Sequence, residues 1–406
     1  MIPLKILVLS QYFFPESFII NDLVRNLVAQ GHEVVVATGK PNYPDGKIFP
    51  GYRVGGLQRE RYLDCVDVVR VPLWPRGNGG AKNLILNYMS FVLAGLVFFP
   101  WLLRRRKIDA ILVFAVSPIT QAIPAILLKF LKRAYLAVWI QDLWPQSLLA
   151  TGFVKNRYAL KIVGGMVRSI YACSDRLLVQ SKAFIDPVSN YASLDKIVYY
   201  PNSVDSKSFQ VNEPIPEELS SVLQSGFCVV FAGNLGTAQA LDTIVQAAIH
   251  LRSMSEIRLV LIGSGSRLSW LQEQKNALGL ENLILPGRFP ANQMAEIFAR
   301  SSALLVSLND DPIFSQTIPS KIQAYLAAGR PIIASLNGEG ARIVQESGAG
   351  LTCEAEQVLP LVSAILQMHS LDQEQRDVMG QSARRYFDEH FEMNTQAYRL
   401  VELLKG

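Results

Sequence analysis

Short apolar runs alternate with longer amphipathic segments along the whole chain. In the first half the runs are KILVLSQYF, EVVVATG, DAILVFAVS, YLAVWIQD and DRLLVQS. The alternation starts again at FCVVFAG and continues through IRLVLIG, NLILPG, ALLVSLN and PIIAS. Strand-length runs rich in β-branched residues and separated by helices are typical of βαβ units in a parallel sheet. The pattern predicts an α/β protein of two doubly wound domains, with ligands at the carboxyl ends of the strands and in the cleft between the domains.

The stretch between the two halves is polar and contains three prolines, in PNSVDSKSFQVNEPIPEELSSVLQSG. Such a composition indicates a linker rather than a packed element. We therefore predict an N-terminal domain over 1–205, a linker over 206–225 and a C-terminal domain over 226–385. A last helix over 386–406 is predicted to pack back on the N-terminal domain.

Composition narrows the class of protein. The 406 residues are 50% apolar and 18% charged, which excludes a disordered or fibrous chain. The 39 basic and 34 acidic side chains leave a net charge of +5, too small and too dispersed for a nucleic-acid-binding protein. The N-terminus MIPLKILVLSQYFFPES lacks the basic region and the cleavage site of a signal peptide. The body of the protein is predicted to be cytoplasmic.

The segment 83–103 is apolar, carries no charge and is long enough to cross a bilayer. Crossing would put two strands of one sheet on opposite sides of the membrane, so we predict a helix lying in the interface on the inner face of the cytoplasmic membrane. Four cations follow at once and would attract anionic lipid. The alternatives are a helix buried between domain layers and a transmembrane helix. The predicted membrane contacts are Phe91, Phe98, Phe99, Trp101, Arg104, Arg105, Arg106 and Lys107.

Two segments of the second half suit phosphate. In FAGNLGTAQALDTIVQAA, Gly233 and Gly236 permit close backbone approach, and the helix that follows would aim N–H groups at an anion. In SQTIPSKIQAYLAAGRPIIAS, Lys321 lies in the first turn of a helix, where the dipole disfavours a cation unless an anion compensates. A purely structural turn and a solvated lysine are the alternatives. The turn LVLIGSGSRL lacks the third glycine and the acidic residue of a dinucleotide site.

Taken together, several motifs resemble the retaining glycosyltransferases of family 4. They are YFFPESF with LVRNLVAQGHEVVVATG, PNYPDGKIFPGYR, QDLWPQS, PNSVD, FAGNLGTAQALDT and PSKIQAYLAAGRPIIASLNGEGARIV. The resemblance covers nearly the whole chain. Within the family, the motifs are similar to those of a branch that assembles bacterial surface polysaccharide such as O-antigen or capsule, a branch that includes N-acetyl-fucosaminyl transferases. It implies a GT-B fold, a UDP-sugar donor carrying an N-acetylated hexosamine or deoxyhexosamine, and a saccharide acceptor on an isoprenoid diphosphate. Retention of configuration follows from the resemblance alone.

The same resemblance assigns the donor site. It places Gly233, Asn234, Gly236 and Lys321 near the diphosphate, with Arg288 and Phe289 beside the base. The chain departs from the family where an Arg and a Lys are common, at Asn234 and Gln239. It also departs where paired glutamates are common, at Gln316 and Ala324. Glu339 is the candidate that replaces them at the ribose.

Two carboxylates are predicted to act in the reaction. Asp142 follows the strand YLAVWIQD and would orient the acceptor hydroxyl or the donor sugar; otherwise it caps the next helix. Glu16 stands with Ser17 where relatives have two glycines, and its carboxylate would lie near a sugar or else face water.

Charge development during loss of a nucleoside diphosphate calls for donors at the phosphate, and a metal is optional. The adjacent pair Asp310 and Asp311 would form a turn or ligate a metal. We expect metal-independent activity without a cofactor.

Three other classes of protein remain open. A sugar-nucleotide epimerase of similar fold would need no membrane helix. A nicotinamide oxidoreductase would bind NAD, which the incomplete glycine fingerprint disfavours. A non-catalytic scaffold of an assembly complex would bind no nucleotide.

Overall fold

The computed structural model describes residues 3–150, 156–206 and 213–406. They form two compact units, one made of Met1–Asn202 with Met393–Gly406 and the other of Ser203–Glu392. The division thus falls at Asn202 rather than at 205. Part of the predicted linker, 207–212, lies outside the described residues, and most of its last part is the helix α7 (Glu217–Gln224).

The first unit is built on an eight-stranded sheet in the order β3-β4-β2-β1-β5-β6-β7-β8. All neighbours are parallel except β3 and β4. The strands are β1 (Lys5–Leu9), β2 (Glu33–Thr38), β3 (Gln58–Tyr62), β4 (Val66–Arg70), β5 (Ala110–Ala115), β6 (Tyr135–Ile140), β7 (Arg176–Val179) and β8 (Ile197–Tyr199). The helices are α1 (Ile19–Ala29), α2 (Ala81–Leu102), α3 (Ala122–Lys132), α4 (Gln146–Ala150), α5 (Arg157–Cys173), α6 (Ile185–Ser189) and α16 (Met393–Leu403).

Strand β1 explains why the sheet is covered on both faces. Leu7 and Leu9 enter a core with helices α2, α3 and α5, whereas Ile6 and Val8 enter a second core with α1 and α16. Successive side chains of a strand point to opposite faces, so a continuous apolar run needs a layer of helices on each side. The order of the strands reverses around β1, which lies between β2 and β5.

The second unit contains a six-stranded parallel sheet in the order β11-β10-β9-β12-β13-β14. Its strands are β9 (Phe227–Ala232), β10 (Ile257–Ile262), β11 (Leu283–Gly287), β12 (Ala303–Ser307), β13 (Ile332–Ser335) and β14 (Gly350–Cys353). Besides α7, its helices are α8 (Leu241–Leu251), α9 (Leu268–Leu278), α10 (Met294–Arg300), α11 (Pro312–Gln316), α12 (Ser320–Ala328), α13 (Glu339–Glu346), α14 (Val358–Ser370) and α15 (Gln373–His390). The order reverses between β9 and β12, the place where open α/β sheets bind ligands.

The C-terminal segment belongs to both units. Helix α15 lies in the second unit and packs on α12, whereas α16 is part of the first unit and packs on α1. The Tyr200 hydroxyl donates to the Gln396 carbonyl over 3.0 Å, and Leu400 is fully buried in the core beside α1. The segment that returns to the first unit therefore begins at Met393 rather than at 386.

Candidate functional site

A cavity of about 660 Å³ opens in the second unit beyond the carboxyl ends of three neighbouring strands. Strands β9, β10 and β11 each contribute the residues that follow them, and α12 closes the side. The cavity is lined by Val204, Ala232, Gly233, Asn234, Ile262, Gly263, Ser264, Arg288, Phe289, Ala291, Met294, Phe298, Ser320, Lys321, Ala324 and Tyr325. Five of the predicted donor residues are therefore brought together here: Gly233, Asn234, Arg288, Phe289 and Lys321.

Gly233 has a backbone that only glycine adopts easily, with φ +142°. A Cβ there would lie 2.7 Å from Cε of Lys321, so the missing side chain makes room for the lysine. The neighbouring turn is equally tight, because a Cβ on Gly263 would lie 1.8 Å from the Gly233 carbonyl oxygen. The two turns form one rigid backbone surface under the cavity.

Gly236 has a different role from the predicted one. It does not line the cavity, and a Cβ there would meet the side chain of Asn234 at 2.6 Å. The helix α8 begins only at Leu241, and the Ala240 N–H just before it donates to Asn309 Oδ1 over 2.8 Å. The absence of a side chain at Gly236 leaves space for the side chain of Asn234. The Ala240 N–H already donates to Asn309, so it is not available to an anion.

Lys321 is the cation of the cavity. Burial lowers the pKa of Lys321 to about 7. Its ammonium lies 3.6 Å from the centroid of the Phe231 ring and donates to Oε1 of Gln239. No carboxylate in the described part of the chain pairs with it. A buried cation that only a ring face and an amide oxygen contact is suited to an anionic ligand.

The far side of the cavity is apolar. Phe289, Met294 and Phe298 line it, while Arg288 is exposed at its edge. Tyr325 forms the floor and accepts from the Ala232 N–H over 2.9 Å. Sequence reasoning missed Tyr325, although it follows Lys321 by four residues and so lies on the same face of α12.

Glu339 does not line this cavity, contrary to the prediction. It begins α13, is nearly buried and pairs with Arg342 at 2.9 Å. Ala324, one of the two positions where the resemblance implies a glutamate, lines the cavity, and Gln316 does not line it. None of the described lining residues is acidic, so any ribose contact here comes from other groups.

The adjacent acidic residues Asp310 and Asp311 lie at a turn before α11. The Asp311 side chain caps α11 by accepting from the Ile313 N–H over 2.7 Å, and Asp310 accepts from Asn337 over 2.9 Å. The described residues contain no group of three or more His, Cys, Asp or Glu side chains that could hold a metal ion.

Family models match both units. Residues 18–203 match the glycosyl transferase 4-like domain, and residues 226–370 match the glycosyl transferases group 1. The chain belongs to glycosyltransferase family 4. The family accounts for the cavity at the carboxyl ends of the second sheet, and the predicted α/β fold of two doubly wound, GT-B-type domains is confirmed.

Relatives of this glycosyltransferase extend over most of its length. It is 26% identical over 388 residues to the colanic acid biosynthesis glycosyl transferase WcaI of Escherichia coli K12, covering 90% of this chain and 92% of the relative. It is 23% identical over 228 residues to a GDP-mannose-dependent phosphatidylinositol monomannoside mannosyltransferase of Mycobacterium tuberculosis H37Rv, covering 54% of this chain and 58% of that one. A trehalose-6-phosphate enzyme of E. coli solved with UDP-2-fluoro glucose shares the fold, with TM-score 0.69, 13% identity and 99% of each chain covered.

The first unit of the transferase has a smaller pocket, of about 230 Å³, around Asp142. Asp142 is half-buried just beyond β6, and the Trp144 indole donates to the Ser117 hydroxyl over 3.2 Å. Burial raises the pKa of Tyr88, which shares the pocket with Asp142. The pocket is lined by Leu84, Tyr88, Ser117, Asp142, Trp144, Ser147 and Leu148. A carboxylate among hydroxyl groups and an indole is suited to a sugar hydroxyl.

Glu16 is placed differently from both predicted alternatives. Its carboxylate is buried and accepts the backbone N–H groups of Phe13, Asn42 and Tyr43 over 3.1, 2.8 and 2.7 Å. Burial raises the pKa of Glu16 to about 7, although these donors oppose the shift. The side chain ties the loop after β1 to the loop after β2, so it is a positioning residue rather than a carboxylate in contact with a sugar or with water.

The predicted membrane helix is α2 (Ala81–Leu102), but two of the predicted membrane contacts are buried. By length and composition it could cross a bilayer. However, its polar and small face is buried: Asn87 accepts from Gln11 over 2.6 Å, and a Cβ on Gly95 would lie 2.8 Å from Pro124 of α3. Phe91 and Phe99 are fully buried in the same core. They cannot be membrane contacts in this structure, and Phe98 is half-buried.

The exposed face of α2 consists of every fourth residue. Five apolar side chains, each 46–65% exposed, form what we call the α2 stripe: Ile85, Met89, Leu93, Val97 and Trp101. The four cations Arg104, Arg105, Arg106 and Lys107 follow the stripe and are exposed. Since β4 precedes α2 and β5 follows it within one sheet, the helix cannot cross a membrane without dividing that sheet.

Proposed function

We propose that this glycosyltransferase moves a sugar, an N-acetylated hexosamine or deoxyhexosamine, from a UDP-sugar to a lipid-linked saccharide in bacterial surface-polysaccharide biosynthesis. The observation that carries the donor half is the buried ammonium of Lys321, which lies beside the backbone of Gly233 and pairs with no carboxylate among the residues that the structure describes. A diphosphate would supply the missing anion, and the ammonium would stabilise the charge that develops when the nucleotide leaves. The relative solved with UDP-2-fluoro glucose supports the choice of donor.

The apolar side of the cavity would take the base. Phe289 offers a ring face at the edge, and Met294 and Phe298 exclude water from the space behind it. Configuration at the transferred carbon is retained in this proposal, because the chain belongs to a retaining family. No metal or other cofactor is required, since Lys321 already provides positive charge at the phosphates.

The acceptor half rests on the pocket around Asp142. Its carboxylate would accept a hydrogen bond from the attacking hydroxyl group and so orient the acceptor oxygen. Leu84 and Tyr88 of α2 line this pocket, and Ile85 and Met89 next to them belong to the exposed α2 stripe. The same helix therefore offers an apolar surface to a membrane and a polar pocket to a sugar, as a lipid-linked acceptor requires. The enzyme would work peripherally on the cytoplasmic face of the membrane.

Ligand-induced shifts in melting temperature test the donor half. UDP, GDP, ADP and NAD are added to the full chain in chelator, since a ligand that binds the folded state raises its stability. We expect UDP to raise the melting temperature most, and Lys321→Gln to abolish the shift while Lys275→Gln, outside the cavity, keeps it. A response to GDP alone would replace UDP with the nucleotide that the mycobacterial relative uses. No response to any nucleotide would contradict the transferase assignment in favour of a scaffold.

A further inference from the structure

A separate cavity of about 360 Å³ lies in the first unit, where α2 ends beside the start of β3. Its lining is Leu57, Gln58, Arg59, Trp101, Leu102 and Arg104. Two of the six are cations and none is acidic. Neither the donor site nor the pocket around Asp142 includes any of these residues.

Both arginines are held in place by the end of the helix. Arg59 Nη2 donates to the Leu102 carbonyl over 3.0 Å, and Arg104 Nη1 donates to the Trp101 carbonyl over 2.8 Å. The guanidinium of Arg104 also lies 4.9 Å from the Trp101 ring centroid. A guanidinium has five N–H donors, so these contacts orient each group and leave donors for a ligand.

The charge of these two arginines is not neutralised within the described part of the chain. Their neighbours are paired: Arg61 and Arg106 share Asp67, and Arg70 pairs with Glu60. No ion pair involves Arg59 or Arg104 among the described residues. Two oriented guanidinium groups that line one cavity without a carboxylate are suited to an oxyanion such as phosphate.

The other part of the lining is apolar, namely Leu57, Trp101 and Leu102. Trp101 is 54% exposed and is the last residue of the α2 stripe, and Leu57 is 38% exposed. A free phosphate would gain nothing from these side chains. A phospholipid would bury them, with its phosphate between the arginines and an acyl chain beside Val97, which is 65% exposed.

We propose that this cavity binds the headgroup phosphate of an anionic phospholipid in the bilayer, with Arg59 and Arg104 as its donors and the α2 stripe against the acyl chains. The inference rests on the membrane attachment in the proposed function. It adds a defined anchor at one end of α2, about 20 Å along the helix axis from Tyr88 at the acceptor pocket. A lipid bound there holds the helix in one orientation, with the pocket around Asp142 at a fixed distance from the membrane.

Vesicle co-sedimentation of the full chain tests this anchor. Phosphatidylcholine vesicles with and without phosphatidylglycerol are compared for the wild type and two double variants. Arg59→Gln with Arg104→Gln removes both positive charges from the lining of the cavity. Arg105→Gln with Lys107→Gln removes the same charge from exposed neighbours that do not line it. We expect the first variant to lose about tenfold in phosphatidylglycerol-dependent binding and the second to lose about twofold.

Equal losses in the two variants would overturn the headgroup site and leave only diffuse attraction. Saturable stabilisation by inorganic phosphate in the wild type alone, with equal vesicle binding by all proteins, would replace the lipid with a soluble phosphate. A wild type that binds no vesicles would contradict the membrane attachment as well. The UDP-induced melting shift of each variant reports on the donor site separately, and Arg104→Gln alone serves if the double variant is less stable.

Discussion

The ammonium nitrogen of Lys321 lies 3.6 Å from the centroid of the Phe231 ring. Phe231 belongs to β9 and is fully buried, so the strand supplies a π face where a carboxylate would otherwise neutralise the lysine. A ring face attracts a cation but takes no hydrogen bond from it in the manner of an oxygen. The arrangement keeps the charge available for a ligand that enters from the cavity.

The pH dependence of UDP affinity follows from this environment. The folded protein holds the pKa of Lys321 at about 7, below its usual value of 10.5, because the ammonium is buried. Without ligand, the unfolded chain binds more protons than the folded one between these values, so the contribution of Lys321 to stability rises with pH across that window. In the proposed function UDP binds the protonated form, so its affinity is expected to fall as pH rises above about 7. Calorimetric titration from pH 7 upward checks this fall, and any residual UDP binding by Lys321→Gln should not depend on pH in this range.

Gly233→Ala should impair both stability and donor binding. The new Cβ would stand 2.7 Å from Lys321 Cε on a backbone with φ +142°. We expect a loss of about 1–3 kcal/mol in the free energy of unfolding and a weaker response to UDP. Gly279→Ala is the matched control, because Gly279 has φ +60° and nothing within 4 Å of its Cβ position. An unchanged UDP response in Gly233→Ala would contradict the assigned contact.

Asp142→Asn should lower the rate of transfer by about 10²-fold. A neutral amide cannot stabilise the partial positive charge that develops on the attacking hydroxyl group as a carboxylate does. The UDP-induced melting shift should stay at the wild-type value, since Asp142 lies in the first unit and the donor cavity in the second. Initial rates with a lipid-linked acceptor provide the measurement. Full activity in this variant would remove Asp142 from the reaction.

The α2 stripe should be needed for attachment to membranes but not for folding. Leu93→Asn with Val97→Asn removes two side chains that are 58% and 65% exposed. We expect about tenfold weaker sedimentation with vesicles and an unchanged melting temperature. Leu359→Asn with Val378→Asn changes side chains of similar exposure in the second unit and should bind as the wild type does. Equal vesicle binding by both double variants would contradict the proposed surface.

Glu16→Gln should destabilise the protein without affecting the donor site. The glutamine amide would present N–H donors to a place where three backbone N–H groups already point. The mismatch is expected to cost about 1–3 kcal/mol in the free energy of unfolding by urea. Glu33→Gln is the control, because that carboxylate is 65% exposed and makes one long ion pair with Lys5 at 3.7 Å. Equal midpoints of urea unfolding for the two variants would contradict the stabilising contact of Glu16 with the two loops.

Local patterns predicted the apolar strands of both sheets but missed β3, β4, β8 and β14. The run FCVVFAG predicts β9 because a strand buried on both faces must be apolar throughout, and the observed strand is Phe227–Ala232. Gly233 and Lys321 were predictable for a similar reason. A glycine directly after a buried strand permits a tight turn with close backbone approach, and a lysine in the first turn of a helix is disfavoured by the dipole. Both signals can be read from the neighbouring sequence alone.

Only the tertiary structure decided which face of α2 is buried, what Glu16 does and which two arginines share a cavity at the end of α2. Periodicity separates Asn87 and Gly95 from Leu93 and Val97, but the buried face was set by partners distant in sequence, such as Gln11 for Asn87 and Pro124 for Gly95. Arg59 and Arg104 meet because β3 packs beside the end of a helix more than forty residues away. A side chain's neighbours across the fold determine its burial and its charge balance, and no local pattern of residues contains that information.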